Sequence, residues 1–300
     1  MLKITPIDAT LGARIEGIDL SKPISRHEKA EILQAFGKYA VLCFPGQKLD
    51  APQHKAFARE FGSLEINVAA GHYTVAGHPE VMVLSNIIEN GKAIGLADAG
   101  QDWHTDMSYS EPIAFLNVLH AIRVPVRNGV PLGNTEFLNM YAAYADLPED
   151  IKKRIEGRTA THDFNKFWEM MLKRPGTQRK PLTPEQRAAK PPVSHPMVLT
   201  HPISGRKALY CNVGYVTQID GMPKAESDEL LDYLFKHQSQ EKYKYAHRWT
   251  EGDVLCWDNL STVHNAIADY RPDEPRHMRR CQVMADWIFT PEAKEAAKAA

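Results

Sequence analysis

One histidine and one aspartate in the first half of the chain have the spacing of metal ligands. His104 and Asp106 are separated by a single residue, and in an extended segment side chains two apart leave the same face of the backbone. A His-x-Asp pair followed much later by a lone histidine is the sequence form of the two-histidine, one-carboxylate facial triad, which binds Fe(II) and leaves coordination positions open. The candidate for the third ligand is His264, which follows Trp257-Asp258-Asn259 in a strand-like setting.

The other histidines fit that third position less well. The sequence contains 13 histidines, and a histidine is more often a surface or hydrogen-bonded residue than a metal ligand. His162 is followed directly by Asp163, but neighbours on a strand point to opposite faces, so these two cannot easily chelate one ion. A surface ion pair is the alternative for His104 and Asp106, because short motifs of this kind recur by chance.

Two arginines near the end of the chain form a second candidate site. Arg276 and Arg280 are four residues apart and share a face if this segment is extended, whereas Arg279 points the other way. Planar guanidinium groups bind carboxylates through paired hydrogen bonds, so two of them aimed at one pocket suit a dicarboxylate or two separate anions. An exposed basic strand end would explain the same residues.

Composition narrows the partners and the compartment. The 36 Lys and Arg against 37 Asp and Glu give a formal net charge of -1, so no excess charge points to nucleic acid or to an anionic membrane. Four isolated cysteines without a C-x-x-C pair favour reduced, buried thiols. The chain opens without a charged leader and apolar run, and no apolar stretch is long enough to span a bilayer, so a cytoplasmic protein is expected.

Short strands at both ends of the chain, with helices between them, must position these side chains. Capping residues and apolar periodicity predict four helices. They span Ser25 to Gly37, Asp50 to Gly62, Met140 to Gly157 with an interruption at Pro148, and Ser227 to His237. Short apolar or alternating runs predict strands. The main ones are Tyr39 to Phe44, Val81 to Leu84, Ala114 to Ile122, Met197 to Thr200, Ala208 to Cys211, Tyr243 to Trp249, Asp253 to Trp257 and Arg280 to Trp287.

This order of elements favours a mainly β protein with peripheral helices. The chain contains no G-x-G-x-x-G after a strand and no G-x-x-x-x-G-K-[ST], which argues against a doubly wound nucleotide-binding sheet. A β-sandwich or jelly roll decorated with helices fits better. No repeat or linker divides the chain, so one domain over residues 1–300 is predicted, with a polar excursion at about 159–192 that could cover the site or form an oligomer contact.

Five motifs, taken in order, resemble one enzyme family. They are His104-Thr105-Asp106, Gly133-Asn134-Thr135-Glu136-Phe137, Thr200-His201-Pro202 with Gly205 to Tyr210, Trp257-Asp258-Asn259 with His264, and Pro275 to Arg280. Together they resemble the taurine dioxygenase and 2,4-dichlorophenoxyacetate dioxygenase family of Fe(II)- and 2-oxoglutarate-dependent oxygenases. The likeness runs over nearly the whole chain.

The resemblance implies a fold and a set of cofactors. The fold would be a double-stranded β-helix core, of the jelly-roll or cupin-like kind, in which His104, Asp106 and His264 bind iron. Thr135 and Arg276 would hold the distal carboxylate of 2-oxoglutarate, with O2 as the other cosubstrate and succinate and CO2 as coproducts of hydroxylation. Family members are commonly dimers or tetramers, so a homodimer or homotetramer is expected.

The substrate implied by the resemblance is a small anionic organic molecule whose charged group faces Arg280. Gly133 to Tyr144 and Pro275 to Arg280 look closer to the aryloxyalkanoate enzymes than to the taurine enzymes, and Asn67 stands where taurine dioxygenase would place a sulfonate-binding histidine. We therefore expect an aryloxyalkanoate-like carboxylate, cleaved at its ether through a hemiacetal, with taurine, other alkylsulfonates and alkyl sulfates as alternatives. Three aromatic residues could line its pocket or belong to ordinary packing: Tyr73, Tyr109 and Trp168.

Two interpretations from other classes stay open at this point. A zinc hydrolase could use the same three ligands with water in the fourth position, although that leaves Arg276 and Thr135 without a role. A non-catalytic jelly roll that binds a metal would not bind 2-oxoglutarate.

Overall fold

Strands form the centre of the structure, and helices lie at its edges. The computed structural model describes residues 1–66, 73–174 and 180–300. Its strands are β1 (Lys3–Pro6), β2 (Ala13–Glu16), β3 (Val41–Phe44), β4 (Thr74–Val75), β5 (His78–Ser85), β6 (Ile88–Glu89), β7 (Lys92–Ala93), β8 (Ala114–Arg123), β9 (Val126–Arg127), β10 (Val130–Pro131), β11 (Thr135–Asn139), β12 (Thr159–His162), β13 (Val193–Pro196), β14 (Val198–Thr200), β15 (Lys207–Leu209), β16 (Val216–Ile219), β17 (Lys244–His247), β18 (Val254–Asp258), β19 (Thr262–Ala266) and β20 (His277–Met284). The helices are α1 (Arg26–Tyr39), α2 (Ala51–Arg59), α3 (Met140–Ala145), α4 (Glu149–Ile155), α5 (Phe164–Leu172), α6 (Pro184–Ala188), α7 (Lys224–Gln238) and α8 (Pro291–Ala296).

An eight-stranded sheet and a three-stranded sheet face each other at the centre. The larger sheet has the strand order β1-β2-β3-β18-β8-β20-β5-β4, and the smaller one the order β17-β11-β19. In the larger sheet β8 pairs antiparallel with both β18 and β20. Because β18 and β19 belong to different sheets, the short turn at residues 259–261 carries the chain from one sheet to the other, directly before His264.

Apolar layers cover both faces of the larger sheet. Between the two sheets, buried residues of both pack together, and the ring of Phe137 on β11 lies 5.5 Å from that of Trp257 on β18. On the opposite face α1 and α2 bury an aromatic cluster in which the ring of Phe36 lies 6.0 Å from that of Phe115 on β8. Each such side chain contributes on the order of 1.5–3 kcal/mol through its removal from water. The central strands are therefore held from both sides.

The starts of α1 and α2 agree with the sequence, whereas α7 begins at Lys224, before the predicted Ser227, and α2 ends at Arg59, before the predicted Gly62. Ser25 closes the predicted capping box of α1, and Asp50 caps α2 as predicted. The prediction that Gly37 ends the first helix is wrong, because α1 continues to Tyr39 and Ala40 caps it with a φ of 62°. A Cβ at residue 37 would lie 3.0 Å from Cβ of Ser204. Gly37 thus permits close packing and does not terminate the helix.

Two strand and helix boundaries show what local patterns can and cannot indicate. The interruption predicted at Pro148 is confirmed, since α3 and α4 lie on either side of it. The last strand begins at His277, three residues before the predicted start at Arg280, because residues 277–280 pair with both β5 and β8. The sequence pattern did not indicate this part of the strand, because its long charged side chains do not form an apolar run. The segment at 159–192 is not a plain excursion, since β12 pairs with β13 and β16 in a sheet of its own.

The four cysteines are buried and free, as the sequence predicts. Among the described helices none has both the length and the apolar character that crossing a bilayer requires.

A buried histidine behind the larger sheet makes the fold sensitive to acid. His54 on α2 is 0% exposed, and its Nε2 donates a hydrogen bond to the backbone oxygen of Val118 at 3.0 Å. Burial, aided by His120 and Arg279, lowers the pKa of His54 to about 3. Folding therefore keeps this imidazole neutral at pH values where the unfolded chain, with a pKa near 6.5, takes up a proton.

We expect this linkage to reduce the free energy of unfolding as the pH falls from about 6.5 towards 3, by at most about 1.4 kcal/mol per pH unit for one group. The variant H54N keeps an amide donor but cannot titrate, so its stability should fall less steeply over that range. Urea denaturation at a series of pH values measures the slope. A slope in H54N as steep as that of the unmodified protein would contradict the assignment.

Candidate functional site

The three predicted ligand residues converge between the two sheets. Nε2 of His104 lies 3.6 Å from Oδ1 of Asp106, and Nε2 of His264 lies 3.6 Å from Oδ2 of the same carboxylate. One nitrogen or oxygen atom of each residue falls within 4.8 Å of the other two, and all three residues are buried. Residues 160 positions apart in the sequence therefore form a single cluster.

Backbone pairing sets the two histidines side by side. His104 and His264 form an antiparallel bridge, with N–H to O distances of 3.0 and 2.8 Å. The segment is extended only at His104, because Asp106 already lies in a turn and Asp102 and Met107 have φ angles of 75° and 55°. The turn, and not a continuous strand, returns the carboxylate to the histidines.

The protonation chemistry of the cluster suits a cation. Nδ1 of His104 lies 2.7 Å from the backbone oxygen of Asp102 and donates to it, which leaves Nε2 as the ligand atom. Burial and the neighbouring His104 lower the pKa of His264 well below its ordinary value. Burial alone would raise the pKa of Asp106, but Arg280 and the two imidazoles outweigh it and hold that pKa well below its usual range. An ionised carboxylate with two imidazole nitrogens is the donor set that Fe(II) takes in facial triads.

A buried guanidinium lies beside the start of β11, near Tyr270 and Asp269, and forms no salt bridge with the residues that the structure describes. Arg276 is 7% exposed, and its Nε has no hydrogen-bond partner among the described residues. Gly133 packs directly against it, since a Cβ at residue 133 would lie 3.0 Å from that Nε. A buried charge is costly unless it is paired, so this site calls for an anion.

Thr135 follows Gly133 by two residues and offers a hydroxyl group. It is 3% exposed, and its Oγ1 accepts a hydrogen bond of 3.1 Å from Nε1 of Trp249. Because the indole N–H can only donate, the hydroxyl hydrogen of Thr135 is left to donate to another group. Trp249 was not singled out in the sequence, where nothing distinguishes it from the other tryptophans.

The alternation predicted for the three arginines is confirmed at Arg279 and Arg280. Nη1 of Arg280 donates to Oδ2 of Asp106 at 3.2 Å, while Arg279 lies on the other face of the sheet, close enough to His54 and His120 to lower the pKa of both. Arg280 is thus an ion-pair partner of a candidate metal ligand as well as a candidate for binding a substrate anion.

Aromatic rings pack against the ring of His104. The ring of Phe167 on α5 lies 5.2 Å from that of His104, and Tyr215 lies 5.0 Å from Phe167. Tyr109 joins them at 4.7 Å from Tyr215 and 4.9 Å from Phe164. Of the three predicted pocket residues, Tyr109 belongs to this cluster. Phe164, Phe167 and Tyr215 were missed, because tertiary packing and not local spacing brings them there.

The other predicted pocket residues lie elsewhere or outside the described ranges. The ring of Trp168 lies 5.9 Å from Phe164, at the margin of the aromatic cluster. Tyr73 joins β5 through its backbone oxygen, which accepts from the N–H of Val83 at 2.7 Å. Asn67 lies outside the described residues.

A second group of possible ligands, Cys43, His247 and Asp253, lies under Trp249. Nε2 of His247 lies 3.2 Å from Oδ2 of Asp253, and its Nδ1 lies 3.0 Å from the hydroxyl of Tyr245. Both ring nitrogens of His247 therefore already have protein partners. In contrast, Nδ1 of His264 has no hydrogen-bond partner among the described residues. This second group is a closed hydrogen-bond network that supports the tryptophan.

Two histidines and a carboxylate between facing β-sheets, in a structure that also buries a guanidinium against Gly133, define a non-haem metal-dependent oxygenase with a cupin-like fold. Residues 3–282 match the family model described as taurine catabolism dioxygenase TauD, TfdA family. The chain belongs to this family. The sequence-based predictions of family, fold class and enzyme class are thereby confirmed.

Named relatives agree with this placement. The alpha-ketoglutarate-dependent 2,4-dichlorophenoxyacetate dioxygenase of Cupriavidus pinatubonensis is 34% identical over 296 residues, which cover 94% of this chain and 98% of that protein. Pentalenolactone F synthase of Streptomyces avermitilis is 32% identical over 93% of this chain and 92% of its own. The crystal structure of AAD-2 in complex with Mn(II) and N-oxalylglycine superimposes with a TM-score of 0.77 at 29% identity, covering 97% of this chain and 100% of that one.

The contact between Gly133 and Arg276 can be tested with a matched pair of variants. Gly133 and Gly157 both have a φ of 73°, but among the described residues no neighbouring atom lies within 4 Å of a Cβ at residue 157. G133A and G157A should each lose about 1 kcal/mol of stability from backbone strain. Only G133A should also weaken binding of N-oxalylglycine to the Mn(II)-loaded protein, because its methyl group displaces the guanidinium.

Isothermal titration calorimetry measures that affinity, and urea denaturation measures the stability of both variants. Equal affinities in G133A and G157A would show that the position of Arg276 is not needed to bind this dicarboxylate.

Proposed function

We propose that this protein is an Fe(II)- and 2-oxoglutarate-dependent dioxygenase that hydroxylates a small aryloxyalkanoate-like carboxylate next to its ether oxygen. The observation that carries the proposal is the convergence of His104, Asp106 and His264, together with a buried arginine, Arg276, whose Nε has no hydrogen-bond partner among the described residues. A zinc hydrolase needs no such dicarboxylate site, and the family model that matches the chain is described as a dioxygenase family.

His104, Asp106 and His264 would hold the metal ion. Three protein ligands leave positions open for the keto acid and for gas, whereas a fourth side chain would block one of them. Fe(II), together with 2-oxoglutarate and O2, supplies the oxidation that puts a hydroxyl group into a substrate C–H bond and yields succinate and CO2. The protein's own part is to hold, orient and shield these reactants.

Arg276 and Thr135 would bind the distal carboxylate of 2-oxoglutarate. The guanidinium offers paired N–H donors in a buried site, where a charge-assisted hydrogen bond is strong, and the Thr135 hydroxyl has a hydrogen to donate because Trp249 occupies its oxygen. N-oxalylglycine, which is 2-oxoglutarate with NH in place of one CH2, occurs with Mn(II) in the AAD-2 complex. That parallel supports the same dicarboxylate site in this chain.

Arg280 and the aromatic cluster would bind the substrate. Arg280 supplies a partly buried positive charge next to the triad, and Tyr109, Phe167 and Tyr215 supply ring faces within van der Waals reach of one another. An anion joined to an aromatic ring satisfies both features, whereas taurine and short alkylsulfonates lack the ring. The dichlorophenoxyacetate enzyme at 34% identity acts on a molecule of that shape.

Hydroxylation of an ether carbon is sufficient to cleave such a substrate. The C–H bond next to the ether oxygen becomes C–OH, and the product is a hemiacetal. Its hydroxyl proton transfers to the phenolic oxygen as the C–O bond breaks, which gives a phenol and an aldehyde acid. No hydrolytic base is needed from the protein.

The whole chain, residues 1–300, would act as one domain. The family model extends over residues 3–282, and the segment at 159–192 contributes Phe167 to the surroundings of His104. A homodimer or homotetramer and a cytoplasmic location stay predictions from the sequence.

We expect Fe(II)-loaded protein to release succinate from 2-oxoglutarate when given 2,4-dichlorophenoxyacetate, and much less with taurine, alkylsulfonates or alkyl sulfates. Succinate and the phenol should form in equal amounts, because each turnover cleaves one ether. D106A should lose at least 100-fold in activity, since an iron ligand is missing. Quantification of succinate and phenol by liquid chromatography measures both.

A control variant, D232A, changes an exposed aspartate on α7 and should keep full turnover. Succinate release with a sulfonate or sulfate but not with the aryloxyacetate would replace the proposed substrate. Normal turnover in D106A would overturn the proposed ligand set.

A further inference from the structure

A fully buried amide side chain contacts the carboxylate of the proposed triad. Asn117 on β8 is 0% exposed, and its Nδ2 donates a hydrogen bond to Oδ2 of Asp106 at 2.8 Å. Its neighbours across the sheet are Trp257 on β18 and Gln282 on β20. A buried amide is unfavourable unless it is hydrogen-bonded, so the position of Asn117 in the middle of the larger sheet depends on this contact.

The same carboxylate oxygen accepts a second hydrogen bond. Nη1 of Arg280 lies 3.2 Å from Oδ2 of Asp106. The other oxygen, Oδ1, takes part in neither bond and lies 3.6 Å from Nε2 of His104. Two donors on Oδ2 therefore restrict the rotation of the carboxylate and leave Oδ1 free of these two hydrogen bonds on the side of His104, while Nε2 of His264 lies 3.6 Å from Oδ2.

A second amide lies close to the side chain of Asn117. Nδ2 of Asn117 lies 3.4 Å from Oδ1 of Asn259. Asn259 lies in the turn between the two sheets, and its backbone N–H donates to the backbone oxygen of Phe115 at 2.7 Å. The adjacent Asp258 locks that turn by accepting from the N–H of Leu260 at 2.8 Å. A flipped amide would place its oxygen against the ionised carboxylate of Asp106, so the N–H group faces Asp106.

The two donors to Asp106 differ in what else they must do. This step rests on the proposed function, in which Arg280 also pairs with the anionic group of the substrate. A substrate anion and Asp106 then share one positive charge, and the guanidinium contact to Oδ2 is already the longer of the two. Asn117 is uncharged and fully enclosed, so a substrate anion does not compete for its N–H.

We propose that Asn117 is the positioning residue that holds the Asp106 carboxylate in its ligand orientation while Arg280 engages the substrate. Asn117 itself touches neither substrate nor cofactor and acts only through Asp106. Nothing in the local sequence marks this role except a single amide in the otherwise apolar run Ala114 to Leu119.

The test is the affinity for Mn(II), measured from the electron paramagnetic resonance signal of the free ion. N117L keeps the branched shape of the side chain, although leucine is larger, and removes the donor; N117S removes the amide and is smaller. Both should bind Mn(II) about 10- to 100-fold more weakly, the usual effect of removing a partner that orients a ligand. If N117L fails to fold, N117S carries the measurement.

A matched control separates positioning from stability. Asn139 is also buried, at 5% exposure, and its amide caps α3 and bonds to Thr10. N139L should lower the melting temperature but leave the Mn(II) affinity unchanged. A loss of affinity in N139L equal to that in N117L would reduce the role of Asn117 to general stability and overturn the proposal.

A double-mutant cycle tests the division of work between the two donors. The change in Mn(II) affinity caused by R280L should be less favourable by about 10-fold or more in the N117S background than in the unmodified protein, because in N117S Arg280 is the remaining donor to Oδ2 of Asp106. R280L removes the same positive charge in the unmodified protein and in N117S. The effect of that charge on the Mn(II) affinity therefore cancels when the two changes are compared. Additive effects, or unchanged affinity in N117S, would overturn the proposal. Failure of the unmodified protein to bind Mn(II) would refute the proposed function instead.

Discussion

The structure depends on one buried carboxylate. Asp106 lies in a low-dielectric interior where an isolated charge is strongly unfavourable, and it is ionised there only because Arg280 and two imidazoles surround it. A cation held by the carboxylate and the two imidazole nitrogens would supply part of the positive charge that stabilises the ionised carboxylate. The same surroundings therefore make Asp106 suitable as a metal ligand. The groups with which the fold stabilises this buried charge are therefore the groups that could bind a metal ion.

The two-sheet architecture is what brings these groups together. The larger sheet supplies Arg280 and Asn117 from neighbouring strands, and the smaller sheet supplies His264 and Thr135. A tight turn joins the sheets next to His264. The antiparallel bridge between His264 and His104 then fixes the backbone of His104 relative to this turn. Apolar side chains cover both faces of the larger sheet, and this close packing supports the positions of the site residues.

Residue spacing predicted the chemistry of the site better than its surroundings. His104, Asp106 and His264 could be found because the donor types and their order are themselves distinctive, and Arg279 and Arg280 because strand alternation is a local rule. Gly37 was misjudged, since its reason is a contact with Ser204 far along the chain. Phe167 and Tyr215 were missed for the same cause: which rings cover His104 is set by tertiary packing, and no local pattern reports that.

The most direct measurement is a crystal structure of the protein soaked with Mn(II), with diffraction recorded at the manganese absorption edge. The proposed ligand set predicts one anomalous peak bonded to His104, Asp106 and His264. A peak at Cys43, His247 and Asp253, or no peak near the triad at saturating Mn(II), would contradict it.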